Sequence, residues 1–300
     1  MAFNVTSNFA GKAAGFYISA ALKEAKSIEH LTLMENIKFK SNIQVMDAEN
    51  MVRDADCNFT NHGTLALTEK ILEPKLLQIN FQLCKKTLLE SWEALQMRAG
   101  AGSPPPPSFD DYVISYLGET IANDTETAVW NGNDATNGSF TGFNTAGVGR
   151  LIGAGATQVA ATATPFAAAN IVANLDALVN AIPTAVYGRE DLHIYMNTKT
   201  YRIYINQMST LGYVNAYNMN GEYEAVFNGI KIAICPGMLD DELVAAQKGQ
   251  LFFGTDLLSD QTRISLMDMT PLDGSDNMRI VARYSAGTQS GIAADIIRLS

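Results

Sequence analysis

An α+β fold with extended outer parts is predicted by three observations. Apolar residues alternate with polar ones over Ile37–Val45 and Leu77–Leu83, the period of a half-buried strand. A helical pattern of about 23 residues follows four prolines, giving a rod of roughly 34 Å. Only 17% of the 300 residues are charged while 47% are apolar, against roughly 25% charged in ordinary soluble domains. A core is affordable, and a surface so poor in charge points to coverage by neighbours.

Each element follows in order. Met1 to about His30 holds few large apolar groups and reads as an extended arm with a short helix near Phe16–Lys26. On this reading, deleting residues 1–28 leaves a folded body. Ile37, Phe39, Ile43 and Val45 mark a strand, Thr64–Ile71 a shorter one ended by Pro74, and Leu77, Ile79, Phe81 and Leu83 a third. The polar stretch Asp47–Gly63 between the first two makes a long hairpin. An isolated two-stranded ribbon is marginally stable, so it must rest on a body. Gly100–Pro107 (GAGSPPPP) forbids helix before Ser108, which reads as the N-cap, with Asp110 and Asp111 favoured by the dipole in the first turn. Phe109, Tyr112, Val113, Tyr116, Leu117 and Ile121 recur at helical spacing up to Trp130, and Asn131-Gly132 stops the run.

Residues 131–164 turn to Gly, Ala, Asn and Thr and read as irregular. Thr164-Pro165 is expected to open a helix with Ile171, Leu175, Leu178 and Ile182 on one stripe. Leu192–Met196 reads as a buried strand, and Asn197-Thr198 caps another helix carrying Tyr201 and Ile205 inward. Strands are expected at Ala225–Cys235, Gln250–Asp256, Arg263–Met269 and Asn277–Ser285, with a turn at Asp273-Gly274 between the last two.

Charge and cysteine usage exclude several classes. Twenty-one bases against thirty-one acids give −10, so tight binding to a phosphate backbone is not the default. Cys57, Cys84 and Cys235 are an odd, scattered set with no CxxC pair, which reads as a reduced compartment. No run of eighteen apolar residues offers a membrane span.

Chemistry-bearing motifs are almost missing. Gly147-Val148-Gly149 with Gly153 misses the dinucleotide fingerprint by one position and has no strand before it. His30, His62 and His193 lie in different segments, and Cys57 with His62 supplies only two zinc ligands. Asp240-Asp241-Glu242 could bind a divalent cation, but acids in the first turn of a short helix explain it without a metal, and that is the favoured reading. Asn131, Asn133 and Asp134 begin like a calcium loop, yet Ala135 takes a ligand position. Lys70 and Lys75 in the hairpin have the context of surface lysines, so an amide cross-link between subunits is the weaker reading of them. The expectation is no enzyme: no catalytic residue, no cofactor and no metal.

The order of parts resembles the major capsid proteins of tailed double-stranded DNA bacteriophages, with the Hong Kong 97-like fold. Phe109-Asp110-Asp111-Tyr112 through Glu126-Thr127-Ala128-Val129-Trp130-Asn131-Gly132-Asn133-Asp134 is similar to that family's spine helix and its W-N-G end. Phe140-Thr141-Gly142-Phe143-Asn144 is similar to the return after it. Phe227-Asn228-Gly229-Ile230-Lys231-Ile232 with Pro236-Gly237-Met238, then Gly254-Thr255-Asp256, Ser259-Asp260 and Ile264–Asp268, complete an ordered series over roughly residues 30–300.

The resemblance implies an N-arm (1–35), an E-loop with flanking strands (36–90), a P domain with the spine helix (91–150), an A domain (151–262), and P-domain strands returning to the A domain (263–300). It implies a structural major capsid protein that self-assembles into hexamers and pentamers, an icosahedral head around phage double-stranded DNA held without sequence-specific binding. The alternative on the same fold is an encapsulin-like nanocompartment shell. Implied partners are further copies of the chain, a separate scaffolding protein, a portal and decoration proteins, with no membrane. The implied place is the virion, assembled in the host cell cytoplasm. The arm starting almost at Met1 implies no large cleaved prosegment.

Overall fold

Alternating segments and the long periodic one build two sheets and a rod in the computed structural model, which describes residues 25–55, 57, 61–84, 107–135, 139–145, 147–153, 155–212, 225–256 and 263–300. The helix expected near Phe16–Lys26 therefore lies almost wholly outside the described residues; a single turn, α1 (Lys26–Glu29), precedes β1 (Thr32–Met34). Next come β2 (Ser41–Glu49), β3 (Thr64–Leu72) and β4 (Lys75–Cys84).

The rod is α2 (Pro107–Asn131). It begins one residue before the expected cap, at Pro107. Proline suits a first helical position because its ring presets φ and its missing N–H is one the helix would leave unpaired. Four-residue α3 (Arg150–Gly153) and β5 (Thr157–Val159) follow. Helix α4 (Ile171–Asn180) starts six residues after the proline expected to open it, and Thr164-Pro165 is a cis peptide in the preceding loop. Side chains win there. Asn170 accepts from Ala167 N at 2.7 Å and donates to Pro165 O at 3.0 Å, while Asp241 accepts from Phe166 N at 2.6 Å. These bonds satisfy the backbone without a helix.

Strand β6 (Leu192–Met196) and α5 (Thr198–Thr210) fall where the pattern places them, with the Asn197 side chain accepting from Lys199 N at 3.1 Å as the cap. Then come β7 (Val226–Phe227), β8 (Ile230–Ile234), β9 (Leu243–Gln247), β10 (Leu251–Gly254), β11 (Arg263–Asp268), the turn-like α6 (Thr270–Asp273), β12 (Asn277–Ser290) and β13 (Ile297–Leu299).

One sheet runs β5-β13-β9-β6-β8-β7 and is covered on both faces. Strand geometry sends successive residues to opposite sides. Leu192, Ile194, Leu243, Ala245, Ile297 and Leu299 therefore enter a core with α4 and α5, while Tyr195, Val244, Ala246 and Ala233 enter a second core. That second core holds the end of α2 (Ile121, Val129, Trp130) and the inner residues of β12 (Met278, Ile280, Ala282, Tyr284). The other sheet is built on fourteen-residue β12, which pairs antiparallel with β4, β10 and β11; β1 joins β10 in parallel. Strands β2 and β3 form a separate two-stranded ribbon, in register from Ser41↔Leu72 to Glu49↔Thr64.

Candidate assembly surfaces and the joint that supports them

Nine residues at about 3.4 Å each carry the ribbon out roughly 30 Å. Its two faces differ. Ile43, Val45 and Lys70 are half-buried toward the body. On the opposite face Met46 stands directly across from Leu67, and Ala48 from Leu65. Met46 is 64% exposed, Leu67 61% and Leu65 59%, and Ile71 on the same face is exposed as well. Only the Gln44–Glu69 pair interrupts these exposed apolar groups between Leu67 and Ile71, and such a patch on a projecting strand pair marks a contact surface. Phe39, two residues before the ribbon begins, is 81% exposed as well. The far end of β2 and the loop after it are acidic in sequence, with Asp47 and Glu49 on the strand and Asp54 and Asp56 against Arg53 in the loop.

A second surface has the opposite character. Alternate residues of β12 turn away from the core, and the register places Arg283 opposite Gln78 and Arg263, Val281 opposite Asn80 and Ser265, and Arg279 opposite Gln82 and Met267. Direct partners in an antiparallel pair share a face. These three rows hold arginine, amide, serine and apolar residues and no acid, in a chain whose balance is −10. Arg279 Nε donates to Gln82 Oε1 at 2.9 Å, which fixes that guanidinium on the surface.

A joint at the end of α2 ties distant segments of the body together. Glu126, buried there, accepts from Ser27 N at 2.9 Å, from the Ser27 hydroxyl, and from Gly237 N at 3.2 Å. Trp130, fully buried, donates from Nε1 to Ser27 Oγ at 2.7 Å, and Asn131 Nδ2 donates to Gly237 O at 2.7 Å. One carboxylate thus ties together the chain's first described segment, the rod and the Pro236-Gly237-Met238 turn. A Cβ on Gly237 would lie 2.1 Å from Glu126 O and 2.5 Å from its carbonyl carbon, so only glycine lets the turn approach the helix backbone. Gly142, whose Cβ would sit 2.6 Å from Trp130 C, does the same for the return segment. The W-N-G and P-G-M stretches singled out in the sequence are the two halves of this joint.

The candidate ligand residues are drawn apart. Asp240 pairs with Lys199 at 2.6 Å, Asp241 accepts from Phe166 N, and Glu242 pairs with Arg298 at 2.6 Å in a nearly closed environment. Burial pushes the Glu242 carboxyl up and the Arg298 charge opposes it. This triad precedes strand β9, not a helix as expected: Leu243-Val244-Ala245-Ala246 is buried on both faces of its sheet, so it shows no alternation to distinguish it from a short helix. Asn133 accepts from Ala135 N at 2.9 Å and Asp134 pairs with Lys75 at 3.3 Å, which uses both in local bonds. Cys57 is exposed and Cys235 buried, with its thiol pushed up by burial. Among the described residues no group of three or more His, Cys, Asp or Glu is placed to hold a metal ion, and no helix is long and apolar enough to cross a membrane.

Two histidines from distant segments do meet. The rings of His30 and His193 lie 5.8 Å apart. Sequence reasoning offered no signal for this pair, nor for the Ser27–Glu126 bond.

No protein-family model and no curated protein sequence matches the chain. Solved structures do. A chain of Gordonia phage Cozz matches with a TM-score of 0.60 at 11% identity, over 92% of this chain and 86% of that one. The capsid of Myoviridae Phage XM1 matches at 0.58 and 14% identity, over 92% and 91%. The capsid of an empty GTA particle matches at 0.57 and 16% identity, over 92% and 89%. From the projecting ribbon to the rod and the two sheets, this polypeptide has the Hong Kong 97-like capsid fold.

Proposed function

We propose that the protein is the major capsid protein of a tailed bacteriophage, a structural rather than catalytic chain that assembles into hexamers and pentamers and closes an icosahedral head around double-stranded DNA. The observation that carries this reading is the ribbon's outer apolar face, left open to water by a body whose own two cores are complete. A second copy supplies what that face lacks. The acids of Asp47–Asp56 complement the arginines of the β4–β12–β11 face, so like copies attract through these two surfaces.

Hydrophobic burial supplies the association energy and charge pairing the register. Each subunit in a closed shell is held by several neighbours at once, so modest contacts multiply. The net charge of −10 suits a container whose wall holds its polyanionic content loosely. The N-arm, E-loop, P domain and A domain follow the boundaries given above. A separate scaffolding protein would set curvature, with a portal and decoration proteins as further partners. The virion is the place of action, and the host cytoplasm the place of assembly.

Electron microscopy of the expressed chain, with and without the neighbouring genes' products, tests the reading. Closed shells that package DNA support it. Shells that carry only a protein cargo assign the chain to an encapsulin-like compartment. A monodisperse, stable monomer under all conditions refutes both.

A further inference from the structure

The strand that enters the body first is held by a chain of bonds, and one link in it is unlike the others. Around the segment from Ala25 to Met34, Ser27 is fixed to Glu126 and Trp130, Lys248 Nζ donates to Glu29 O at 2.7 Å, and Thr32 Oγ1 donates to Lys248 O at 2.9 Å. Strand β1 then pairs with β10. Midway, Tyr195 Oη donates to His30 O at 2.8 Å, and the His30 ring lies 5.8 Å from that of His193 on β6. His193 Nδ1 sits 2.8 Å from Asp191 O, which makes that nitrogen the proton-bearing donor.

We propose that the His30–His193 contact is an acid-sensitive latch that holds this segment on the body near neutral pH and loosens it in mild acid. Two imidazoles this close share one half-buried place, and both cannot carry charge there without repulsion. The groups facing them do not supply a compensating pair of anions. Glu29 favours a charged His30, but Lys248 and His193 oppose it; the Asp191 carboxylate is taken up by Gln247 Nε2 at 3.0 Å; Tyr195 is neutral, its hydroxyl pushed up by burial. Desolvation, and then His193, hold the His30 ring below its usual value.

The sign follows from proton counting. A base whose folded value lies below its free value of 6.5 binds more protons when released. The contribution of the seat is therefore complete above the free value and is lost as pH falls from there through the lower folded value. Each unit of displacement changes the opening constant about tenfold. The latch would set by pH how firmly residues 25–34 are seated on the body.

Hydrogen exchange on the full chain tests this between pH 7.5 and 5.5, above the ordinary carboxylate range. With intrinsic rates corrected, opening of residues 25–34 should rise toward pH 5.5, by at most about tenfold for one imidazole with a free value of 6.5, while β9 stays constant. In His30→Gln the rise should vanish, and in His193→Gln it should shrink without vanishing, because burial still disfavours a charged His30. A chain whose 25–34 segment opens with the same pH profile in wild type and both variants overturns the proposal, as does a flat wild-type profile. Should one variant fail to fold, the other and the wild-type profile remain decisive. The readout is made on monomer or particle alike, so failure of the latch is separable from failure of the shell reading.

Discussion

Leu67→Asp is the sharpest test of how the ribbon works. Leu67 is 61% exposed and faces Met46 across the strand pair, away from the body. Full burial of a leucine is worth about 1.5–3 kcal/mol, so covering the exposed three-fifths contributes about 1–2 kcal/mol per contact. A carboxylate placed there adds an unsatisfied buried group, which costs about 1–3 kcal/mol more. The sum, about 2–5 kcal/mol, raises the concentration needed for assembly by roughly 30-fold or more. The fold should not notice. The side chain touches neither core, so circular dichroism and the unfolding midpoint should stay near wild type. Leu67→Met, which keeps size and apolarity, should assemble normally. Analytical ultracentrifugation with negative-stain imaging reads the outcome. If Leu67→Asp forms shells at the wild-type threshold, the exposed face is not a contact surface and the central reasoning fails.

Gly237→Ala should destabilise the body by about 3–5 kcal/mol, combining overpacking against helix backbone with loss of two hydrogen bonds of about 1 kcal/mol each; denaturant unfolding measures it. Arg298→Met leaves Glu242 buried without its cation and should cost about 3–5 kcal/mol at pH 7. Burial already raises the Glu242 carboxyl, so the variant's deficit should narrow as pH falls toward 4.5 and the acid becomes neutral; a deficit constant with pH would count against this. Deleting residues 1–24 should leave a folded body, whereas deleting 1–28 removes Ser27 and two donors to a buried carboxylate, so the body left by the longer truncation should be less stable by about 3–6 kcal/mol. Thermal melts of the two truncations distinguish these outcomes.

Legibility in the sequence tracked the strength of local signals. Helix α2 could be read because it is long, periodic and bounded by prolines before and Asn-Gly after. The ribbon strands and β4 could be read because one side is wetter than the other, so period two survives in the text. Strands β5 and β13 are three residues each, too short for any period, and β9 is dry on both sides. The helix expected at Pro165 failed because Asn170 and Asp241 offer the backbone better local partners.

What the sequence by itself determined was the inventory: a rod, a hairpin, a charge-poor exterior and glycines beside Trp130 and Met238. Local periodicity and backbone sterics act over a few residues, and a linear text records them. Only the tertiary structure decided that Ser27, Glu126, Trp130 and Gly237 form one joint, that His30 meets His193, and that the ribbon's apolar side faces outward. Those facts depend on which distant segments pack together, and the burial of the whole core chooses that, with no trace in the spacing of neighbouring residues.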